Sequence, residues 1–550
     1  MNQPNSTERL DSWKEIATFL RRDVRTVQRW EKKEALPVHR HQHEKLGSVY
    51  AYPAELNAWF AARQPSSPSA DAQQGRGDKI KLAVLPFVNL GDSREDEYFT
   101  DGLTDEMITE VTRLQPEQLA VIARTTALHY DSSSKSLEQM KKDLGVDYVL
   151  EGRVRRGGSR VRITVQLSEV QDQTQLWAET YERDLSDMLS VQAEIARAIA
   201  GEIHLALNLP ESKRLEELQK GQRRVRPEAY DAYLQARYHL HEMSAAGISR
   251  SIEDFQRAVH ADSSYAPAHA GLASAYALLA IAPFDLMPPR EVMPKAEAEA
   301  RKALELDGSL AEAHAALALV EHHYHWNWKA AEESYRRAIE LNPDYAAAHL
   351  WYSWLLLALG KNGPAMEEIE RTMRIVQETD PHRLIAVHAT RAQAYYFQRE
   401  FERGARECEK GLELDSAHFM LRYILGRCYM RMGKNEKAIE QFQAAADERG
   451  EIPLVDAALG LAYAVNGRQE ETQKVAESLR ITLGKRYVPP TYFGMLYAGV
   501  GDRERAIRWL EKAFKERADG LTWLAVEPMM DDLRSDPRMQ DLIERIGLEA

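Results

Sequence analysis

Arg25, Gln28 and Arg29 fall within about one helical turn of each other. These side-chain types can read base edges, since arginine pairs bidentately with guanine and glutamine with adenine. Thr26, Lys32 and Lys33 share their face, with Arg22 just before the helix and Arg40 and Lys45 beyond it. The bland alternative is a solvated charged helix, because Glu31 and Glu34 dilute the basic face. Other constellations point to chemistry less well. Glu95, Asp96 and Glu97 with Asp101 and Asp105 could suggest metal or acid–base work, but the spacing equally suits negative charge at a helix N-terminus. The stretch from Gly152 to Gly158 lacks the Lys-Ser/Thr of a phosphate loop, and Ser132, Ser133 and Ser134 have no partnered His or Asp pattern. His39, His41 and His43 would share one face of a strand, yet no cysteine or carboxylate pair completes a zinc site. His322, His323 and His325, beside Trp326 and Trp328, are expected to pack or to line a groove. We therefore expect no catalytic residue, no metal and no cofactor.

The recognition residues need elements to position them, and residues 7–62 supply a plausible set. Ser12-Trp13-Lys14-Glu15 matches a capping box that opens a helix, with Ile16, Ala17 and Leu20 as its apolar stripe. Asp23 is a second N-cap, and the next helix runs from Val24 to about Glu34. Pro37 ends it. Val38 to Gln42 and Ser48 to Tyr52 read as short strands of a hairpin, and Ala54 to Ala62 as a closing helix. The order of helix-turn-helix, wing and helix resembles the winged helix-turn-helix domains of excisionase- and MerR-type proteins. That resemblance implies a second helix in the major groove of double-stranded DNA, with Arg25, Gln28 and Arg29 at base edges and Arg22, Lys32, Lys33, Arg40 and Lys45 on phosphates. One short module binds weakly, so a homodimer on two half-sites is expected.

Residues 63–78 include "QPSSPSADAQQGRGD", whose composition reads as a flexible linker. From 79 to 210 the texture is a strand, a helix, a second strand and helix, then an antiparallel meander turning at Gly157-Gly158 and a closing helix. That order makes an α/β or α+β domain. The segments Ala83-Val84-Leu85-Pro86-Phe87, Asp101-Gly102-Leu103-Thr104, Tyr148-Val149-Leu150-Glu151-Gly152 and Leu176-Trp177-Ala178-Glu179-Thr180-Tyr181 resemble the amino-terminal domain of TolB and its FlgO-type relatives. The resemblance implies an accessory or sensing module and assigns no chemistry.

Residues 226–520 repeat. In one unit, Leu425, Gly426 and Tyr429 lie on a first helix and Ala438, Phe442 and Ala445 on a second. These offsets match the tetratricopeptide (TPR) unit, a two-helix hairpin of about 34 residues. About eight units are expected to stack into an all-α solenoid, with residues 521–550 as a capping segment that ends in a helix from Pro537 to Ile546. Such a solenoid offers a groove to a protein or peptide partner. His314, His349, His388 and Arg422, with His269, recur at one early position of the first helix, where they either pack or contact that partner.

Charge divides the chain the same way. Residues 1–65 carry +3, with 11 Lys and Arg against 8 Asp and Glu, which leaves −16 on the rest of a chain of net charge −13. A basic head on an acidic body suggests separate tasks. No apolar run approaches the roughly 20 residues that span a bilayer, and the polar N-terminus has no signal-peptide core. Two cysteines, Cys408 and Cys428, suit small buried positions better than a redox role. The expectation is a multidomain, cytoplasmic DNA-binding transcriptional regulator with no membrane association. The alternative is a non-enzymatic TPR scaffold with a degenerate head.

Overall fold

The computed structural model describes residues 9–10, 12–19, 27, 31, 36–40, 49–53, 55–56, 80–91, 97–114, 119–122, 145–157, 160–188, 191–192, 194–195, 198–199, 225–377, 381–449 and 452–549. They divide into two compact units, one within residues 1–78 and one from 79 to 550.

In the first unit, the capping box forms as its sequence requires. The Ser12 hydroxyl accepts from the Glu15 amide at 3.2 Å and donates to the Glu15 carboxylate at 3.1 Å. It opens helix α1, Trp13–Phe19. Strands β1, His39–Arg40, and β2, Val49–Tyr50, pair antiparallel. A bridge between Leu10 and Ala51 ties the start of the unit to them. Ile16, Ala17, Val27, Leu36, Val49, Ala51 and Leu56 form one small core. His39 directs Nε2 at the Glu55 carboxylate, 2.6 Å away, and stacks on Tyr50.

The second unit begins with a mixed sheet in the order β5-β3-β6-β7-β8. Strands β3 (Ile80–Val84), β5 (Leu119–Ile122) and β6 (Tyr148–Gly157) are parallel, while β7 (Arg160–Glu169) and β8 (Thr174–Asp184) continue antiparallel. A short β4, Val88–Asn89, also pairs with β6. Helix α2, Glu97–Leu114, makes the crossover from β3 to β5 and buries Phe99, Leu103, Met107 and Val111. The residues that carried the family resemblance here do packing work. A side chain at Gly152 would strike the ring of Phe87, whose amide donates to the Thr104 hydroxyl at 3.0 Å. The expected helix over 137–144 lies outside the described residues, as does the linker.

Among the described residues, sixteen helices in eight hairpins follow. The first pairs α3 (Pro227–His241) with α4 (Ala245–Ala261), and the second α5 (Ala266–Leu278) with α6 (Pro289–Leu306). Next come α7 (Ala311–Val320) with α8 (Trp328–Leu341), α9 (Ala346–Ala358) with α10 (Asn362–Gln377), and α11 (Pro381–Phe397) with α12 (Phe401–Leu414). The last three are α13 (Phe419–Arg431) with α14 (Asn435–Arg449), α15 (Pro453–Val465) with α16 (Gln469–Leu483), and α17 (Pro490–Gly499) with α18 (Arg503–Glu516). Helix α19, Pro537–Ile546, closes the chain at the boundaries expected from sequence.

The small residues of the repeat allow the helices of a hairpin to meet. A methyl group at Gly426 would sit 2.6 Å from Cε1 of the fully buried Phe442. Gly426→Ala should therefore cost about 1–3 kcal/mol through overpacking, read as a lower urea midpoint; an unchanged midpoint would refute this account of the glycine. Cys408 and Cys428 are both buried, and burial pushes the Cys428 thiol up to about 12.

The sheet and the repeats share a core. One continuous apolar cluster runs from Leu82 in β3 to Val320 at the end of α7. A side chain at Gly102 would lie 2.8 Å from Leu234, so the glycine sets how closely α2 meets α3. Glu106 accepts from Tyr233 Oη at 2.9 Å and also pairs with Arg237, while Arg156 pairs with Asp231 at 2.5 Å. The sequence suggested a boundary near residues 210–226; these contacts tie together the described residues on its two sides. Among the described residues, no helix is long and apolar enough to cross a membrane.

Candidate interaction surface

Of the residues expected to read DNA, Arg22, Arg25, Thr26, Gln28, Arg29, Lys32, Lys33 and Lys45 lie outside the described residues. Arg40 is placed in backbone only, on β1 opposite Val49. Val27, between the expected base-reading positions, is helical and fully buried.

The four side chains expected to pack or to contact a partner each make hydrogen bonds within the array. His349 is buried, with Nδ1 2.5 Å from the Glu368 carboxylate and Nε2 2.9 Å from the Pro343 carbonyl. His388 directs Nδ1 at Glu407, 2.5 Å away. His314 reaches the Gly308 carbonyl, and Arg422 bonds the Ser416 carbonyl and Gln441. His269 repeats the arrangement with Glu299 and the Ser263 carbonyl. Burial opposes its charge, but the hydrogen bonds to Glu299 and to the carbonyl outweigh that and raise its pKa. The position is a joint: in most units it ties the first helix to the turn before it, and in most to the second helix as well.

The inner face is formed by the first helices of successive units, which contact one another directly. Its functional groups come from their C-terminal ends and the turns beyond. After α7 the chain makes a π-helical turn, Glu321–His325. This turn packs His322 at 3.9 Å between ring centroids from His323. Among the described residues, neither ring nitrogen of His322 has a hydrogen-bond partner, and burial, with His323 beside it, drives its pKa well below the ordinary histidine value. Tyr396 and Phe397 end α11, Arg399 follows them, and Arg427 and Arg431 lie on α13.

This face is occupied by the chain itself. Residues Asp519–Trp523 and Pro528–Leu533 form two short 3-10 turns between α18 and α19. Asp519 reaches back more than 190 residues, to His323 Nδ1 at 2.5 Å and to the Ala282 amide at 3.1 Å. The ring of Trp523 stacks on Phe397, with centroids 5.2 Å apart. Glu527 accepts from Tyr396 Oη at 2.8 Å and pairs with Arg427. Arg427 is only 3% exposed and lies over the Tyr396 ring at 4.0 Å. Asp531 meets Arg399 at 2.9 Å and Arg431 at 3.7 Å. Further contacts close the array: Tyr492 of α17 donates to Asp285, Trp328 Nε1 donates to the Ile546 carbonyl at 3.0 Å, and Arg517 lies over Trp326. The segment beyond the last repeat, expected only to cap, thus also fills the inner face. Its seat was missed because no periodicity links residues 100 to 200 positions apart.

Comparison with known proteins fits this architecture. A model described as the HilA/YgeH-like transcriptional regulator, second domain, matches residues 78–198. Tetratricopeptide repeat models match residues 327–389 and 390–453. The chain is 33% identical over 258 residues to a protein named putative adenylate cyclase 3 of Rhizobium meliloti (strain 1021), covering 47% of this chain and 43% of that one. The match thus spans less than half the length of that relative. Among solved structures, the chain is similar to Pseudomonas aeruginosa pilF, at 19% identity over 40% of this chain and 92% of that one, with a TM-score of 0.32. It is also similar to human IFIT1, solved as a dimer with m7Gppp-AAAA, at 15% identity over 65% of this chain and 84% of that one, with a TM-score of 0.37. The chain is a tetratricopeptide-repeat protein that carries a regulator-like domain.

Proposed function

We propose that this protein is a cytoplasmic, DNA-binding transcriptional regulator whose residues 7–62 hold an operator and whose repeat array engages a protein partner. The observation that carries the reading is the match of residues 78–198 to a regulator's second domain, directly after a small unit with a capped helix and a two-stranded hairpin. The excisionase/MerR-type head and the TolB-like relationship of the middle domain belong to the same proposal. In it, Arg25, Gln28 and Arg29 contact base edges, and Arg22, Lys32, Lys33, Arg40 and Lys45 contact phosphates. A homodimer would set two half-sites. No catalytic step is assigned. The regulator-like domain, joined to the first hairpin by the Glu106, Tyr233 and Arg237 contacts, is thereby coupled stiffly to the array.

The test is selection of bound fragments from genomic DNA by the intact protein, sequenced beside an Arg25→Ala/Arg29→Ala variant. A discrete motif that the variant loses, with an affinity drop of roughly tenfold or more, is the expected result. Weak, motif-free binding that is identical in the variant would sink the regulator and favour a TPR scaffold.

A further inference from the structure

Residues 519–533 do not belong to the repeat pattern. They form two 3-10 turns after the last helical hairpin of the array. Their inward contacts recur with a period of four: Asp519, Trp523, Glu527 and Asp531 each meet the inner face. Pro528 interrupts the stretch, so one continuous helix does not produce this period. The segment lies in the array as a peptide ligand lies in a groove, with side chains read by first helices.

The chemistry of the seat limits what else can fill it. Arg427 is held on a helix among aromatic rings and is almost fully buried. A buried guanidinium without a carboxylate is strongly unfavourable, so the face requires an acid there. Arg399 and Arg431 set a second acid seat around Asp531, and Phe397 offers a flat ring to an aromatic anchor.

We propose that residues 519–533 are a built-in ligand. The array's partner is then a protein bearing an exposed acidic segment of the same form, with an acid, an aromatic, an acid and an acid at every fourth residue, which displaces them. This rests on the reading of the array as a partner-binding surface, and it is independent of whether the head binds DNA. The resident segment has the advantage of being tethered, which gives it a millimolar-scale effective concentration. The partner therefore binds a receptor that is open only a small fraction of the time, and its apparent affinity falls by that fraction.

The experiment uses a fluorescent synthetic peptide of residues 517–534, measured by anisotropy against the full chain and against the full chain carrying Glu527→Gln and Asp531→Asn. The near-isosteric substitutions weaken the resident segment and leave the seat intact. The peptide is expected to bind the substituted chain at least tenfold more tightly than the original chain. That gain should vanish when Gln and Asn replace the same two acids in the peptide. Equal affinity for the two chains, or a gain indifferent to the peptide's acids, overturns the proposal. Hydrogen exchange on the unaltered chain decides the matter even where the substituted chain unfolds. Amides of 519–533 should exchange through an opening that leaves 503–516 and 537–546 protected. Exchange of all three stretches together would make the segment a fixed part of the fold. DNA binding measured on the same samples separates the two readings, since a chain that selects its operator and ignores the peptide refutes only this one.

Discussion

Replacing Glu527 by alanine is expected to cost the closed array about 3–5 kcal/mol, one of the two largest effects predicted here for a single substitution. The reason lies in its partner. Arg427 cannot follow the missing carboxylate into water, because it projects from α13 into a seat walled by Tyr396 and Tyr423. Attraction to the rings offsets only part of its desolvation. The loss should appear as a lower urea midpoint by far-ultraviolet circular dichroism. The double replacement Arg427→Met/Glu527→Leu should recover most of it, since removing both charges is far less harmful than stranding one. A single variant within 1 kcal/mol of the original chain would mean that the pair is open to solvent, and that the inner face is not the dry seat described above.

How much of this was legible in the sequence follows from the range of each interaction. The hairpins were legible because their signals are local and repeated: Gly426 faces Phe442 within one unit, and the same pairing of small and large residues recurs down the chain. The sheet was legible because β7 alternates buried and exposed positions and because a strand, a helix and a parallel strand can join in few ways. The joint histidines were visible as a recurring position, but their role depended on a partner in the other helix. A signal for it was present: His349 and Glu368 are separated by 19 residues, as are His388 and Glu407. The inner seat was not legible. Asp519, Trp523, Glu527 and Asp531 are spaced like one face of a helix, and their partners sit as much as 237 positions away. Only the turn of the whole array brings those groups together, and no local pattern encodes that turn. The fusion of sheet and repeats was hidden for a related reason. Gly102 looked like part of a family motif, whereas its lack of a side chain serves Leu234 in the first hairpin.

Asp285 provides the other large effect, and one with a pH signature. Its carboxyl is buried beside Asp519 and accepts a hydrogen bond from Tyr492. Burial, reinforced by the neighbouring Asp519 charge and opposed by the Tyr492 bond, raises its pKa to about 8. In the unfolded chain the same group titrates near the ordinary value of about 4. Between about pH 4 and pH 8 the folded state therefore holds a proton that the unfolded state releases, so stability must fall as pH rises through that window. Asparagine removes the titration and keeps an oxygen that can accept from Tyr492. It also suits the left-handed backbone at this position, where φ is +44°. Asp285→Asn is thus expected to match the original chain near pH 4 and to be more stable by roughly 2–4 kcal/mol at pH 8. The check is the difference between the two stability curves measured at unit steps of pH. A difference that stays flat from pH 4 to pH 8 would show that Asp285 is ionised in the folded chain, and that the contact between the second and eighth hairpins is not sealed from water.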